Sequence, residues 1–192
     1  MIAEIYGKLS STGSNLSDRL EDQLTGDTFG ALRYIAPEFG IIPVLTTSYF
    51  LAENGKRQHL DLTAPTALQV RFWPWLIEVE PDLLLELMEA AAKPCAIIIE
   101  VKYGSGLSSD DSQNLSETKT LSCSEGTDTT NQQRDDLAPS RNQLIRQMRS
   151  LAKAYPNHRR ILVYLTKDIL FPQDLFCRVR MRASEDGLAH TE

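Results

Sequence analysis

The chain has 192 residues, 42% of them apolar, with 20 basic and 26 acidic side chains for a formal net charge of −6. That is the size and composition of one globular domain with a sizeable core. No apolar run reaches the roughly 18 residues of a membrane span, and the first residues lack the layout of a signal peptide, so a cytoplasmic, membrane-free protein is expected. Cys95, Cys123 and Cys177 are odd in number and widely spaced, so neither a disulfide framework nor a thiolate zinc site is indicated.

Residues 1 to 15 are small and polar and read as a poorly ordered or edge segment without chemistry. From Ser17 the spacing of Leu16, Leu20, Leu24, Ala31, Leu32 and Ile35 predicts a helix, with Ser17 or Asp18 as N-cap and a break into two at Gly26-Asp27. Gly40 to Ala52 is apolar enough for a further helix, ended by Asn54-Gly55. Leu68 to Val79 reads as a strand interrupted by Pro74. A proline removes a ladder hydrogen bond, so this strand belongs at an edge, a bulge or a bend. Its tryptophans, Trp73 and Trp75, are read as core, with stacking on nucleic-acid bases as the alternative.

Leu83 to Met88 and Cys95 to Ile99 are apolar runs of strand length around a short connection, the pattern of an antiparallel hairpin. Folding it about residue 91 sets Asp82 opposite Glu100. The side-chain period of two then puts Asp82, Glu100 and Lys102 on one face. Two carboxylates and an ammonium at the end of buried strands need partners, and a divalent cation would supply one.

Residues 105 to 136 contain 12 Ser or Thr, three leucines and no aromatic or β-branched aliphatic residue. Such a segment buries too little to offset its ordering entropy and is expected to be a mobile insertion. Ser140 to Tyr155 predicts the clearest helix. Leu144, Ile145, Met148, Leu151, Ala152 and Tyr155 form one stripe, Ser140 and Gln143 fit a capping box, and Arg141, Arg146, Gln147, Arg149 and Lys153 take the other side. Ile161 to Thr166 reads as a strand. From Leu175, Cys177, Val179 and Met181 alternate with Arg178, Arg180 and Arg182, which predicts a further strand with a basic face. A flexible acidic tail follows from residue 184.

Charge is unevenly distributed. Residues 141 to 182 carry 10 basic against 2 acidic side chains, a block of +8 in an acidic protein, and a phosphate-binding surface is the favoured reading. No phosphate-cradling GxxxxGK[ST], no GxGxxG after a strand and no Ser/His/Asp arrangement occurs.

Pro81-Asp82 followed by Glu100-Val101-Lys102 at the close of an apolar strand resembles the active-site signature of the PD-(D/E)XK nuclease superfamily. Glu117-Thr118-Lys119 matches the tripeptide too, but no apolar strand precedes it. The resemblance covers roughly residues 17 to 166. It implies a restriction-endonuclease-like α/β fold, a mixed sheet core flanked by helices, filling one domain. It further implies a Mg²⁺-dependent nuclease, with Mn²⁺ able to substitute, acting on nucleic acid and more specifically on DNA. Asp82, Glu100 and the Val101 carbonyl would hold the metal, Lys102 would orient or activate the attacking water, and Glu21 on the N-terminal helix would bring a further acid. Gln143 or Gln147 matches the polar residue that the following helix often supplies. Arg146, Arg149, Lys153, Arg159 and Arg160 are the candidate phosphate contacts. The competing expectation is a non-catalytic nucleic-acid-binding or assembly module. A homodimer or additional protein partners are left open.

Overall fold

The β-hairpin read from the sequence forms the centre of a four-stranded mixed sheet in the computed structural model, which describes residues 2–8, 16–51, 56–62, 65–88, 93–103, 142–167 and 173–188. The segment 105 to 136 and its neighbours lie outside the described residues. In chain order the elements are α1 (Ile2–Ile5), α2 (Leu16–Leu32), α3 (Ile41–Thr46), β1 (Tyr49–Leu51), β2 (Arg57–His59), β3 (Ala67–Phe72), β4 (Leu83–Met88), β5 (Cys95–Lys102), α4 (Gln143–Ala154), β6 (Arg159–Thr166) and α5 (Gln173–Glu185). The protein is therefore of mixed α/β class. Among the described residues no helix is long and apolar enough to cross a membrane.

The sheet order is β3-β4-β5-β6, antiparallel except for the parallel pair β5–β6. Parallel neighbours need a long crossover, and α4 lies within the one that joins them. Both sheet faces are buried, which is why β4 and β5 read as continuous apolar runs. Leu83, Leu85, Leu87, Ile97 and Ile99 pack with Phe29, Ile41, Leu45, Phe72 and Trp73 on the side of α1 to α3. Leu84, Ala96 and Ile98 pack with Leu151 of α4 and its C-cap Tyr155 on the other. Leu144 and Ile145 of α4 join Val179 of α5 in a smaller cluster, against which Leu162 and Tyr164 pack.

Several expectations are corrected. Residues 2 to 5 form a helical turn whose Ala3 is fully buried. The long helix begins at Leu16, one residue before the expected cap, and runs unbroken through Gly26 to Leu32. Its glycine accommodates α1: a Cβ at Gly26 would stand 3.0 Å from the Ala3 amide nitrogen. The buried face of α2 is accordingly Glu21, Thr25, Gly26, Phe29 and Gly30, while Leu20 and Leu24 are 40% and 43% exposed. The region 40 to 52 is not one helix. It holds the short α3 and then β1, whose pairing of Tyr49 with His59 and Leu51 with Arg57 centres on residue 54. Asn-Gly between strand-forming residues is a hairpin signal in the sequence, and local antiparallel pairing outweighs the apolar count.

The Pro74 region ends β3 at a sheet edge, as expected. Trp73 and Ile77 take φ values of 43° and 56°, and Trp73 N donates to Asp82 O at 2.9 Å. The tryptophans separate: Trp73 is 6% exposed and packs in the core, Trp75 is 74% exposed. The expected C-terminal strand is helix α5. Alternation misled there because, among the helix positions whose burial is described, the buried ones are Val179 and Ala183, four residues apart, a helical spacing. Ser184 and Glu185, read as tail, fall within α5, and Asp186 pairs with Arg149 at 2.8 Å.

Candidate active site

The hairpin register carries the site. Leu83 lies opposite Ile99, so residue pairs sum to 182 and Asp82, just before β4, falls opposite Glu100, as the sequence predicts. The Val101 amide closes this end of the hairpin by donating to Asp82 Oδ2 at 2.8 Å. Glu100 is 1% exposed and faces α4. Gln143 Nε2 donates to its Oε1 and Gln147 Nε2 to its Oε2, each at 2.6 Å. Lys102 Nζ stands 3.0 Å from the same Oε1.

Glu21 arrives from the opposite face of the sheet. It is buried, 6% exposed, and accepts from Lys102 Nζ at 3.0 Å and from the Tyr103 amide at 2.7 Å. Segments 21, 82, 100 to 103 and 143 to 147 thus meet at the end of β5. Five of the residues singled out from sequence (Glu21, Asp82, Glu100, Val101 and Lys102) are linked there by direct hydrogen bonds and ion pairs.

The electrostatics of the charged groups differ. Burial, and next the charge of Glu100, push the Asp82 carboxyl up to about 7, although the Val101 amide and Lys102 work against the shift. Burial alone would lower Lys102, but Glu100 and Glu21 outweigh it and hold the ammonium above the usual lysine range.

The capping box is a second correction with consequences. The N-cap of α4 is Asn142, whose Oδ1 accepts from the amides of Leu144 and Ile145 at 3.0 and 3.3 Å. Gln143 is therefore released from capping and reaches Glu100. Gln147, placed by the sequence pattern on the polar side, is fully buried. A glutamine four residues along the helix from Gln143 shares its face, which is the signal that finds both. Gln147 Oε1 is buried without a hydrogen-bond partner.

The five candidate phosphate contacts are dispersed. Arg146 donates to Glu78 O at 2.9 Å, Lys153 pairs with Glu78 at 3.2 Å, and Arg149 with Asp186. Arg159 donates to Asp61 O at 2.6 Å, and Arg160 Nη1 lies 3.5 Å from Ala152 O. Arg159 and Arg160 open β6 beside Cys95 and Ala96, whereas Glu100 lies beside Tyr164. Five residues of parallel strand separate the two ends, about 16 Å at ~3.3 Å per residue.

Asp82, Glu100 and Glu21 offer hard oxygen donors, which suit Mg²⁺ or Mn²⁺ by chemistry. Among the described residues, however, no three acidic, His or Cys side chains stand in a metal-holding group. Glu100 and Glu21 turn to Lys102 and the glutamine amides instead. The donor types fit a divalent cation, and the arrangement is the one these residues adopt when they satisfy each other. No family model, no curated protein and no solved structure matches the chain.

Proposed function

We propose that this protein is a Mg²⁺-dependent nuclease with a restriction-endonuclease-like fold, hydrolysing phosphodiester bonds of DNA, with Mn²⁺ able to replace Mg²⁺. The observation that carries the reading is the convergence at one hairpin end of Asp82, Glu100 and Lys102 with Glu21, which lies 61 residues before Asp82 in the chain. Two buried carboxylates, Glu21 and Glu100, and the half-buried Asp82 come here from three segments, and the desolvation each one costs is what binding a cation would offset.

Asp82, Glu100, the Val101 carbonyl and Glu21 would hold the cation. When bound, it supplies a nucleophilic water of lowered pKa and neutralises charge on the phosphoryl oxygens. Lys102, an ammonium between two carboxylates, would donate to the water or to a phosphate oxygen. Gln143 and Gln147 fix the Glu100 carboxylate through both of its oxygens. Arg146, Arg149, Lys153, Arg159 and Arg160 would contact backbone phosphates by exchanging their present carbonyl and carboxylate partners.

One observation favours a second reading. The hydrogen bonds that fully engage Glu100 would equally suit a structural ion cluster in a non-catalytic nucleic-acid-binding or assembly module. Incubation with supercoiled plasmid separates the two. Nicking that requires Mg²⁺ or Mn²⁺ and stops with chelator supports the nuclease. Plasmid binding without nicking in either metal supports the module.

A further inference from the structure

We infer that the cleft beside Lys102 is a nucleobase-binding site, which selects substrates with an unpaired nucleotide next to the scissile phosphate. The inference rests on the nuclease reading for the position of that phosphate and on independent observations for the cleft.

The cleft has a volume of about 220 Å³ and lies where α2 meets the ends of β5 and β6. Its walls are largely apolar, formed by Leu24, Phe29 and Leu165 with Tyr103. Leu24, Tyr103 and Leu165 are 43%, 41% and 41% exposed. Large apolar side chains gathered around one opening mark a ligand site more often than chance exposure does. Leu24 is especially telling, since the period of α2 would bury it and the fold instead turns it toward this opening.

The polar groups in the cleft fit a base. Thr25 lines it, is 2% exposed, and its Oγ1 is buried without a hydrogen-bond partner. Thr25 Oγ1 is closed off from the opening as the cleft stands, so a base reaches it only after rotation about χ1, where a hydroxyl that both donates and accepts suits the edge of any nucleobase. Tyr103 provides the aromatic face on which a base stacks. Its backbone amide is held by Glu21, so the stacking platform and the candidate metal site are fixed to each other. Lys167 Nζ lies 4.7 Å from the centroid of the Tyr103 ring. A base on that ring takes the place of the ammonium, which is then available to the adjoining phosphate. Lys102 lines the same cleft, which joins base and reacting phosphate through one side chain. A paired base has its faces covered by its neighbours, so only an unpaired or extruded one can enter.

The test is fluorescence anisotropy with a labelled short oligothymidylate and with the same strand made abasic throughout, in Ca²⁺ so that no cleavage intervenes. The proteins are the wild type, Leu165→Trp, which fills the cleft, and Tyr103→Ala, which removes the platform. Both positions are partly exposed, so melting temperatures should stay near wild type. Wild type should bind the base-bearing strand about tenfold more tightly than the abasic one, the size of one base–aromatic stack, and both variants should lose that preference while binding the abasic strand as wild type does. Equal binding of the two strands by wild type, no binding of either, or a preference that survives in both variants overturns the inference. A parallel incubation in Mg²⁺ tests the underlying reading separately: base preference without any cleavage removes the nuclease and leaves the base site.

Discussion

Asp82 Oδ2 accepts the Val101 amide at 2.8 Å, so the two halves of the candidate motif are joined by the backbone of the very residue whose carbonyl is the proposed third ligand. That bond is neutral in shape and would survive replacement of the acid by an amide. The carboxylate charge is another matter, since burial and Glu100 oppose it.

From this follows a pH-dependent stability. An acid whose folded pKa is about 7 against an unfolded 3.8 binds protons more strongly when folded, so its contribution falls as pH rises through that window. In chelator, Asp82→Asn should match wild type near pH 4 and melt higher at pH 8, by up to about 10 °C, since a rise from 3.8 to about 7 corresponds to at most ~4 kcal/mol. Thermal melts of both proteins across that range check it, and a constant difference at all pH values would contradict it.

Glu100 and Lys102 should behave in the opposite way. Sequence alone treats the two carboxylates alike and expects relief when either loses its charge. The structure shows Glu100 engaged by Gln143, Gln147 and Lys102. Metal-free Glu100→Gln is therefore expected to lose about 2 kcal/mol, because buried donors are left without a partner. Lys102→Met leaves two buried carboxylates unopposed and should lose about 3 kcal/mol. Urea denaturation in chelator measures both, and wild-type midpoints for the pair would refute the assignment.

Asn142 should matter for the site as well as the helix. Removing its cap bonds in Asn142→Ala should cost about 1 kcal/mol and loosen the turn that carries Gln143. Asn142→Ser, which can cap, should restore stability and nicking rate together. Recovery of stability without recovery of rate would show that the cap and the glutamine act independently.

The basic residues can be separated by position. Neutralising Arg146, Arg149 and Lys153 on α4 should flatten the dependence of log affinity on log salt by up to about 3, near one unit for each phosphate no longer neutralised. Arg159→Gln with Arg160→Gln, at the far end of β6 from Glu100, should change it less. An equal reduction from both sets would place the phosphates across the whole strand pair.

The hairpin and its register were legible because apolar strands with a two-residue period leave little choice of pairing, and residue 91 proved to be their centre. Glu21 was legible only through the family resemblance, since a helix carboxylate has no local mark of being buried. Gln147 was misplaced because a polar residue in an amphipathic helix reads as exposed until a buried acid across the interface, here Glu100, gives it a partner. The 40 to 52 region and α5 were misread for a common reason. Short apolar stretches fit both periods, and hairpin pairing with residues 57 to 59 or packing on α4 decides between them.

The rate of plasmid nicking as a function of Mg²⁺ concentration, for wild type and for Asp82→Asn, a variant expected to keep the fold, decides whether these carboxylates hold a catalytic metal. Wild type should nick in a saturable, Mg²⁺-dependent way. Asp82→Asn should be slower by about 10²–10³-fold, the usual scale for removing a principal electrostatic stabiliser, with its melting temperature in chelator at least equal to wild type. A wild-type protein that binds plasmid but never nicks it at any Mg²⁺ or Mn²⁺ concentration, or an Asp82→Asn variant that nicks at the wild-type rate, would contradict the account.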